Sequence, residues 1–282
     1  MKVLIANIED VMREAAARWT LLTYFVLSTM FIIIFALAVN LDVVDGALAG
    51  AKLFGNEVNM GGQQVGVEKL VLGFETGFSG FLFFLCTFLA IFATAHLVPR
   101  MQEKGTIDLY LSRPVPRVQL LLSRYLAGLI LAGSNIFYLL TAMWVIVMWK
   151  TGVSHPRFLL AGLILMFVVA VLLAFAFLIG VMTSSTAVSI MTSYAIFIFG
   201  LPLTLHKHWE AVVSSEWQAW LINGIYWIVP KTMELLFGVM TFVGERSGPS
   251  EIAVTTASYL STALFGGACL TLASWLFQRK EF

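Results

Sequence analysis

The chain has 282 residues, 60% of them hydrophobic and 12% charged, with a mean hydropathy of +0.91; a soluble domain of that length could not bury so much apolar surface, so the composition specifies a polytopic membrane protein. A formal net charge of +1 excludes the basic surface that nucleic acid requires. Cys86 and Cys269 both fall within apolar segments and read as small packing residues.

From Met1 to Trp19 the apolar residues Leu4, Ile8, Val11, Met12, Ala15 and Trp19 recur at helical spacing between charged ones, which predicts an amphipathic helix on the membrane surface. Glu9 and Asp10 interrupt the apolar run that a signal peptide would need here. Residues 20–40 carry no charge and predict the first span, since about twenty residues at ~1.5 Å each cross a ~30 Å hydrocarbon layer. Residues 41–75 are polar, glycine-rich and acidic, as an external loop would be. Further spans are expected at about 76–98, 125–149, 158–182, 187–205 and 252–277. The uncharged run over 158–205 is split into two by Thr183, Ser184, Ser185 and Thr186, whose hydroxyls suit a tight turn. Residues 206–251 form a second external loop. Its two apolar pieces, separated by Pro230, Lys231 and Glu234, are each too short to cross and predict interfacial or re-entrant helices.

Lysine and arginine near the span ends orient the chain. With both termini cytoplasmic, the inner segments hold Lys2, Arg13, Arg18, Arg100, Lys104, Arg113, Arg117, Arg124, Arg279 and Lys280, while the outer loops are longer and poorer in basic residues. The fold class expected is therefore all-α: one transmembrane domain over 1–282 with six transmembrane helices, an amphipathic amino-terminal surface helix and re-entrant or interfacial helices before the last span. The assigned spans contain no Asp, Glu, Lys or Arg, which argues against a proton- or sodium-driven carrier. The GxxxxGK[ST], HExxH and CxxC patterns are absent. His206 and His208 flank Lys207; a pair two residues apart faces opposite sides of a helix, so solvated interfacial histidines are favoured over metal ligands. One face of the last span, Ser258, Thr262 and Gly266, and one of the second, Gly73 and Gly77, are small enough to receive another helix closely.

The connection from Arg100 to Arg117 is the polar segment with most internal order. Gly105 breaks the arriving helix, Thr106 offers a cap for a short new one through Ile107, Asp108, Leu109, Tyr110 and Leu111, and Pro114 and Pro116 end it. The same features would serve an ordinary solvated connector. In Glu103, Gly105, Thr106, Leu109, Leu111, Ser112, Pro114 and Arg117 this stretch resembles the membrane subunits of ATP-binding cassette transporters, specifically the ABC-2 type permeases. The run Pro230-Lys231-Thr232 with Glu234-Leu235, and the carboxy-terminal Phe277 to Phe282, add to the resemblance. Arg124 stands where a lysine is common, and Tyr110 where a leucine is.

The resemblance implies a transporter of two permease chains and two separate cytoplasmic ATP-binding cassette ATPases, with the short helix after Gly105 docking into the ATPase. Glu103, Asp108, Arg113 and Arg117 would then supply polar contacts beside Gly105 and Thr106, with Leu109, Tyr110 and Leu111 filling the groove. It implies no cofactor in this chain, ATP and Mg²⁺ belonging to the partner, and so no enzyme activity of its own. A bacterial inner (plasma) membrane location, export of an apolar or amphipathic substrate, and a homodimer follow as expectations; a six-span chain without internal repeats offers half a pathway, and the small-residue faces of the second and last spans are the candidate contacts with a second copy. The alternatives are a membrane scaffold that anchors an ATPase or assembly factor, and an intramembrane enzyme, for which buried acid, base and metal groups are missing.

Overall fold

The computed structural model describes residues 9, 12–13, 19–44, 47–53, 56–57, 67–103, 105, 116–204, 206, 209, 216–244 and 254–280. Helix α1 (Trp19–Ala38) leads into a small antiparallel sheet of β1 (Val39–Val44), β2 (Ala47–Leu53) and β3 (Asn56–Glu57). The pairing β1 to β2 runs from Val39↔Leu53 to Val44↔Ala47, with a register shift at Asp42/Val43. Helix α2 (Val67–Thr94) turns through Ala95 and His96 into the short α3 (Leu97–Met101). Then come α4 (Arg117–Thr151), α5 (Pro156–Thr183), α6 (Thr186–Thr204), α7 (Glu216–Ile228), α8 (Thr232–Val243) and α9 (Thr256–Arg279).

Among the described residues five segments are long and apolar enough to cross a membrane: Val71–Met101, Arg117–Thr151, Pro156–Thr183, Thr186–Thr204 and Thr256–Arg279. Leu22–Leu37 and Thr232–Val243 are shorter apolar helices. The chain is thus an all-α polytopic membrane protein carrying one small sheet in a connection.

The helix ends have local causes. α4 stops at Gly152, whose φ of 72° only glycine adopts without strain, and its N–H donates to the Met148 carbonyl at 2.8 Å. Pro156 opens α5 at a position where its missing N–H costs nothing, after an extended His155. Ser184, at φ 53°, reverses the chain between α5 and α6.

α5 is the centre of the bundle. Val168, Val169, Leu172, Leu173, Ala176 and Phe177 are fully buried, and α5 is flanked by α4, α6 and α9, with α2 and α8 also against it. α1 rests on α4 through three polar ties: the Ser28 hydroxyl donates to Asn135 Oδ1 at 2.8 Å, Thr29 meets the Tyr138 hydroxyl at 3.0 Å, and Lys150 Nζ donates to the Ala36 carbonyl at 2.6 Å. Each replaces water for a group that lipid cannot satisfy.

Two expectations need correction. The helices reach past the expected spans and carry charge into the bundle: Glu75 in α2 and Arg124 in α4 are 2% and 1% exposed. An apolar stretch reads as ending at its first charge, but a helix continues wherever its neighbours can pair that charge. The small face Ser258, Thr262, Gly266 is also not free for a second copy. All three residues are buried within this chain, and a Cβ on Gly266 would lie 3.0 Å from Val171 Cγ2 of α5.

Candidate functional site

The bundle has two polar ends. At one, here the near end, α2 passes into α3, α5 turns into α6, α4 begins and α9 finishes. The far end holds the α4–α5 turn together with α7 and α8. The connection singled out in the sequence springs from the near end, between Gln102 and Arg117. Glu103 and Gly105 are exposed, with Gly105 at φ 85°, and Arg117 is half-buried at the first position of α4. Thr106, Asp108, Leu109, Tyr110, Leu111 and Arg113 lie outside the described residues.

What holds the two feet of this connection is a clamp that the sequence did not announce. Gln102, just past α3, donates through Nε2 to the Gly180 carbonyl at 3.0 Å, and its Oε1 accepts from the Ser184 hydroxyl at 2.9 Å and from Lys280 Nζ at 2.5 Å. Lys280 Nζ donates also to the Val181 carbonyl at 2.6 Å and to Ser184 Oγ at 2.8 Å. Both α5 acceptors belong to the last turn of a helix, where unpaired carbonyls concentrate negative charge and an ammonium is favoured. Burial pushes the Lys280 amine below its usual range. At the other foot, Arg117 Nη1 donates to the carbonyls of Gln278 at 3.2 Å and Lys280 at 2.7 Å.

α3 is seated behind the clamp. Leu97, Val98, Pro99 and Met101 are buried among Leu120, Leu121, Phe177 and Phe277. Arg124 Nη1 donates to the Leu97 carbonyl at 3.1 Å. Two glycines allow the approach: a Cβ on Gly180 would stand 3.1 Å from Pro99 Cδ, and one on Gly128 would stand 3.1 Å from Leu97 Cδ1. Neither Gln102 nor Ser184 carries a sequence pattern pointing to this role. Lys280 stood out only among the basic residues that orient the chain and within the carboxy-terminal run Phe277 to Phe282.

The far end is built differently. Glu75 Oε2 lies 3.3 Å from His155 Nδ1, joining α2 to the turn before α5 with both side chains shielded. Glu234 of α8 is buried and accepts a hydrogen bond from the Ser258 hydroxyl at 2.7 Å. Lys231, 5% exposed, places its ammonium 4.0 Å from the Tyr226 ring centroid and 4.1 Å from that of Trp227. Burial pushes this amine down and the nearby Glu234 carboxylate partly offsets it, while burial and the hydrogen bond to Glu234 push the Tyr226 phenol up. The backbone N–H of Lys231 donates to Thr262 Oγ1 at 3.1 Å, tying α8 to α9.

His206 stacks on Tyr226 at 3.7 Å and its Nδ1 lies 3.2 Å from the Leu203 carbonyl; His208 lies outside the described residues. Among the described residues no three His, Cys, Asp or Glu side chains converge as metal ligands would. The near end is thus a hydrogen-bonded base that joins α3, α4, α5 and α9 at the two ends of the 103–116 connection, and the opposite end is a closed polar knot.

Over residues 11–281 the sequence matches the family described as ABC-2 family transporter protein. A search of the curated proteins gives no match.

Proposed function

The chain belongs to the ABC-2 family of transporter proteins, and from that premise we propose that it is the permease subunit of an ATP-driven exporter whose ATP is hydrolysed by a separate ATP-binding cassette chain. The observation that carries this reading is the clamp at the base of the 103–116 connection. A segment that transmits force needs rigid feet, and both feet here are hydrogen-bonded into α5 and α9. Glu103, Gly105, Thr106, Asp108, Leu109, Tyr110, Leu111, Arg113 and Arg117 form the ATPase-binding surface.

The near end is the cytoplasmic one. Arg100, Arg117, Arg124, Arg279 and Lys280 cluster there against Glu103, whereas the far end mixes Lys69, Lys150, Arg157 and Lys231 with Glu68, Glu75 and Glu234. With α1 as the first crossing the chain has six spans, both termini cytoplasmic in a bacterial inner membrane, and α7 and α8 lie at the outer face. The pathway forms between two copies, and the substrate is apolar or amphipathic, because the exposed faces of the membrane helices carry aliphatic and aromatic side chains that offer a small charged solute few partners.

The test is recovery of the full-length chain from native membranes in mild detergent. An ATP-binding cassette ATPase and a second copy of the chain should come with it, and Thr106→Pro with Asp108→Lys should lose the ATPase while inserting normally. Retention of the ATPase by the doubly changed chain would overturn the docking assignment. An ATPase that is bound yet never drives movement of any amphipathic probe in proteoliposomes would mark the chain as a scaffold.

A further inference from the structure

Gln102 and Arg117 are the residues that bracket the 103–116 connection, and Lys280 holds both. Its ammonium is bonded to the Gln102 carboxamide at 2.5 Å, and its own carbonyl accepts from Arg117 at 2.7 Å. The same ammonium reaches the last turn of α5 and Ser184 at the head of the α5–α6 turn. Without the Lys280 ammonium, Gln102 would still reach Gly180 and Ser184, and Arg117 would still reach the carbonyls of Gln278 and Lys280, but no bond would join the Gln102 foot to α9. With it, the base of the connection is a closed ring that includes α5, the α5–α6 turn and α9.

We propose that Lys280 is a positioning residue that staples the two feet of the 103–116 connection to each other and to α5, so that displacement of the connection moves α5, α6 and α9 together. The proposal rests on the permease reading above for the source of the displacement. The staple itself is a property of the free chain. Charge-assisted bonds to a carboxamide, a hydroxyl and a helix-terminal carbonyl are stronger and more directional than a solvated surface charge would make. Arg279 does not share the role, because its guanidinium lies 4.1 Å from the Trp275 ring centroid on its own helix.

Two spin-label pairs test this in the purified full-length chain, alone and with its ATPase. Cys86 and Cys269 are buried, so labels go to introduced cysteines. The first pair, Glu103→Cys with Gln278→Cys, reports the staple; its distance distribution should be narrow and should broaden in Lys280→Met. The second pair, Glu68→Cys on α2 with Thr256→Cys on α9, both exposed at the far end, reports transmission when ATP and vanadate are added to the complex. In Lys280→Met the fraction of molecules shifted should fall by about fivefold or more, in the range of an ordinary coupling free energy, while ATP turnover persists.

Gln102→Leu keeps the charge of Lys280 and removes its partner, so it should reproduce both changes. If Gln102→Leu leaves the two distributions untouched, Lys280 is only an anchoring charge and the proposal is overturned. A first pair that stays narrow in Lys280→Met would also overturn it. If the first pair broadens but the unaltered complex shows no far-end shift, the staple exists and the permease reading is what has failed. Should Lys280→Met prove unstable in detergent, Ser184→Ala removes one of the three acceptors and should give an intermediate result. No effect of Ser184→Ala on either pair would count against the proposal.

Discussion

The two ends of the bundle satisfy their buried polar groups in opposite ways. At the far end the contacts join elements in separate pairs: Glu75 with His155, Glu234 with Ser258, and Lys231 with Tyr226 and Trp227. At the near end the bonds converge on the residues that bracket the 103–116 connection, through Gln102, Ser184, Arg117 and Lys280. A closed knot resists movement and keeps its helices in register. A set of bonds that gathers four elements at the two ends of one connection makes them move as a body. Substitutions at the far end should therefore act on stability, and those in the near-end clamp should act on coupling with a smaller effect on stability.

The largest stability loss is expected where the near end is deepest. Arg124→Ala removes a fully buried side chain and the donor to the Leu97 carbonyl, and should cost about 3 kcal/mol, mostly from the cavity and the stranded carbonyl. Chemical denaturation in detergent would show it as a lower midpoint, and a drop no larger than that of Lys280→Met would break the distinction between the seat of α3 and the clamp. His155→Ala comes next. It leaves the Glu75 carboxyl buried without its described partner, costing about 2 kcal/mol. Adding Glu75→Gln should recover part of that loss, and strictly additive losses in the double variant would show that the 3.3 Å pair is not energetically coupled.

Ser258→Ala should cost about 1.5 kcal/mol, the value of a hydrogen bond to a buried charged group, and ATP-driven movement at the near end should be unchanged. A selective loss of coupling in this variant would mean that the far-end knot is a gate and not a structural fastening. The smallest effect belongs to Arg13→Ala. The ion pair with Glu9 is 4.0 Å long and strongly exposed, so no more than about 0.5 kcal/mol is expected, and less at high salt.

Much of this arrangement was legible in the residues, and the part that was not has a common cause. Uncharged runs of twenty or more residues mark membrane helices because backbone groups in lipid must be satisfied within the segment. Gly152 and Pro156 mark the α4–α5 turn by backbone chemistry alone. Helix starts were harder: α2 begins at Val67 and α4 at Arg117, because Glu75 and Arg124 are tolerated inside the bundle by His155 and the Leu97 carbonyl, which are distant in sequence. The clamp was illegible for the same reason. Gln102, Ser184 and Lys280 are 178 residues apart at their widest, and none has a local pattern that sets it off from an ordinary polar residue at a helix end. The small face of α9 was visible as a place of close packing, but its partner proved to be α5 of the same chain.

The central claim is that the near end, and not the far end, meets the ATPase. Single cysteines at Glu103, beside the clamp, and at Gln218, on α7, would be treated with a membrane-impermeant maleimide in inverted and right-side-out vesicles. Glu103 and Gln218 are exposed, and the native Cys86 and Cys269 are buried. The account predicts that the Glu103 position is modified only in inverted vesicles and is shielded when the ATPase is bound, and that the Gln218 position is modified only from the opposite side and is indifferent to the ATPase. Modification of the Glu103 position from the outer side, or at the same rate with and without bound ATPase, would contradict it.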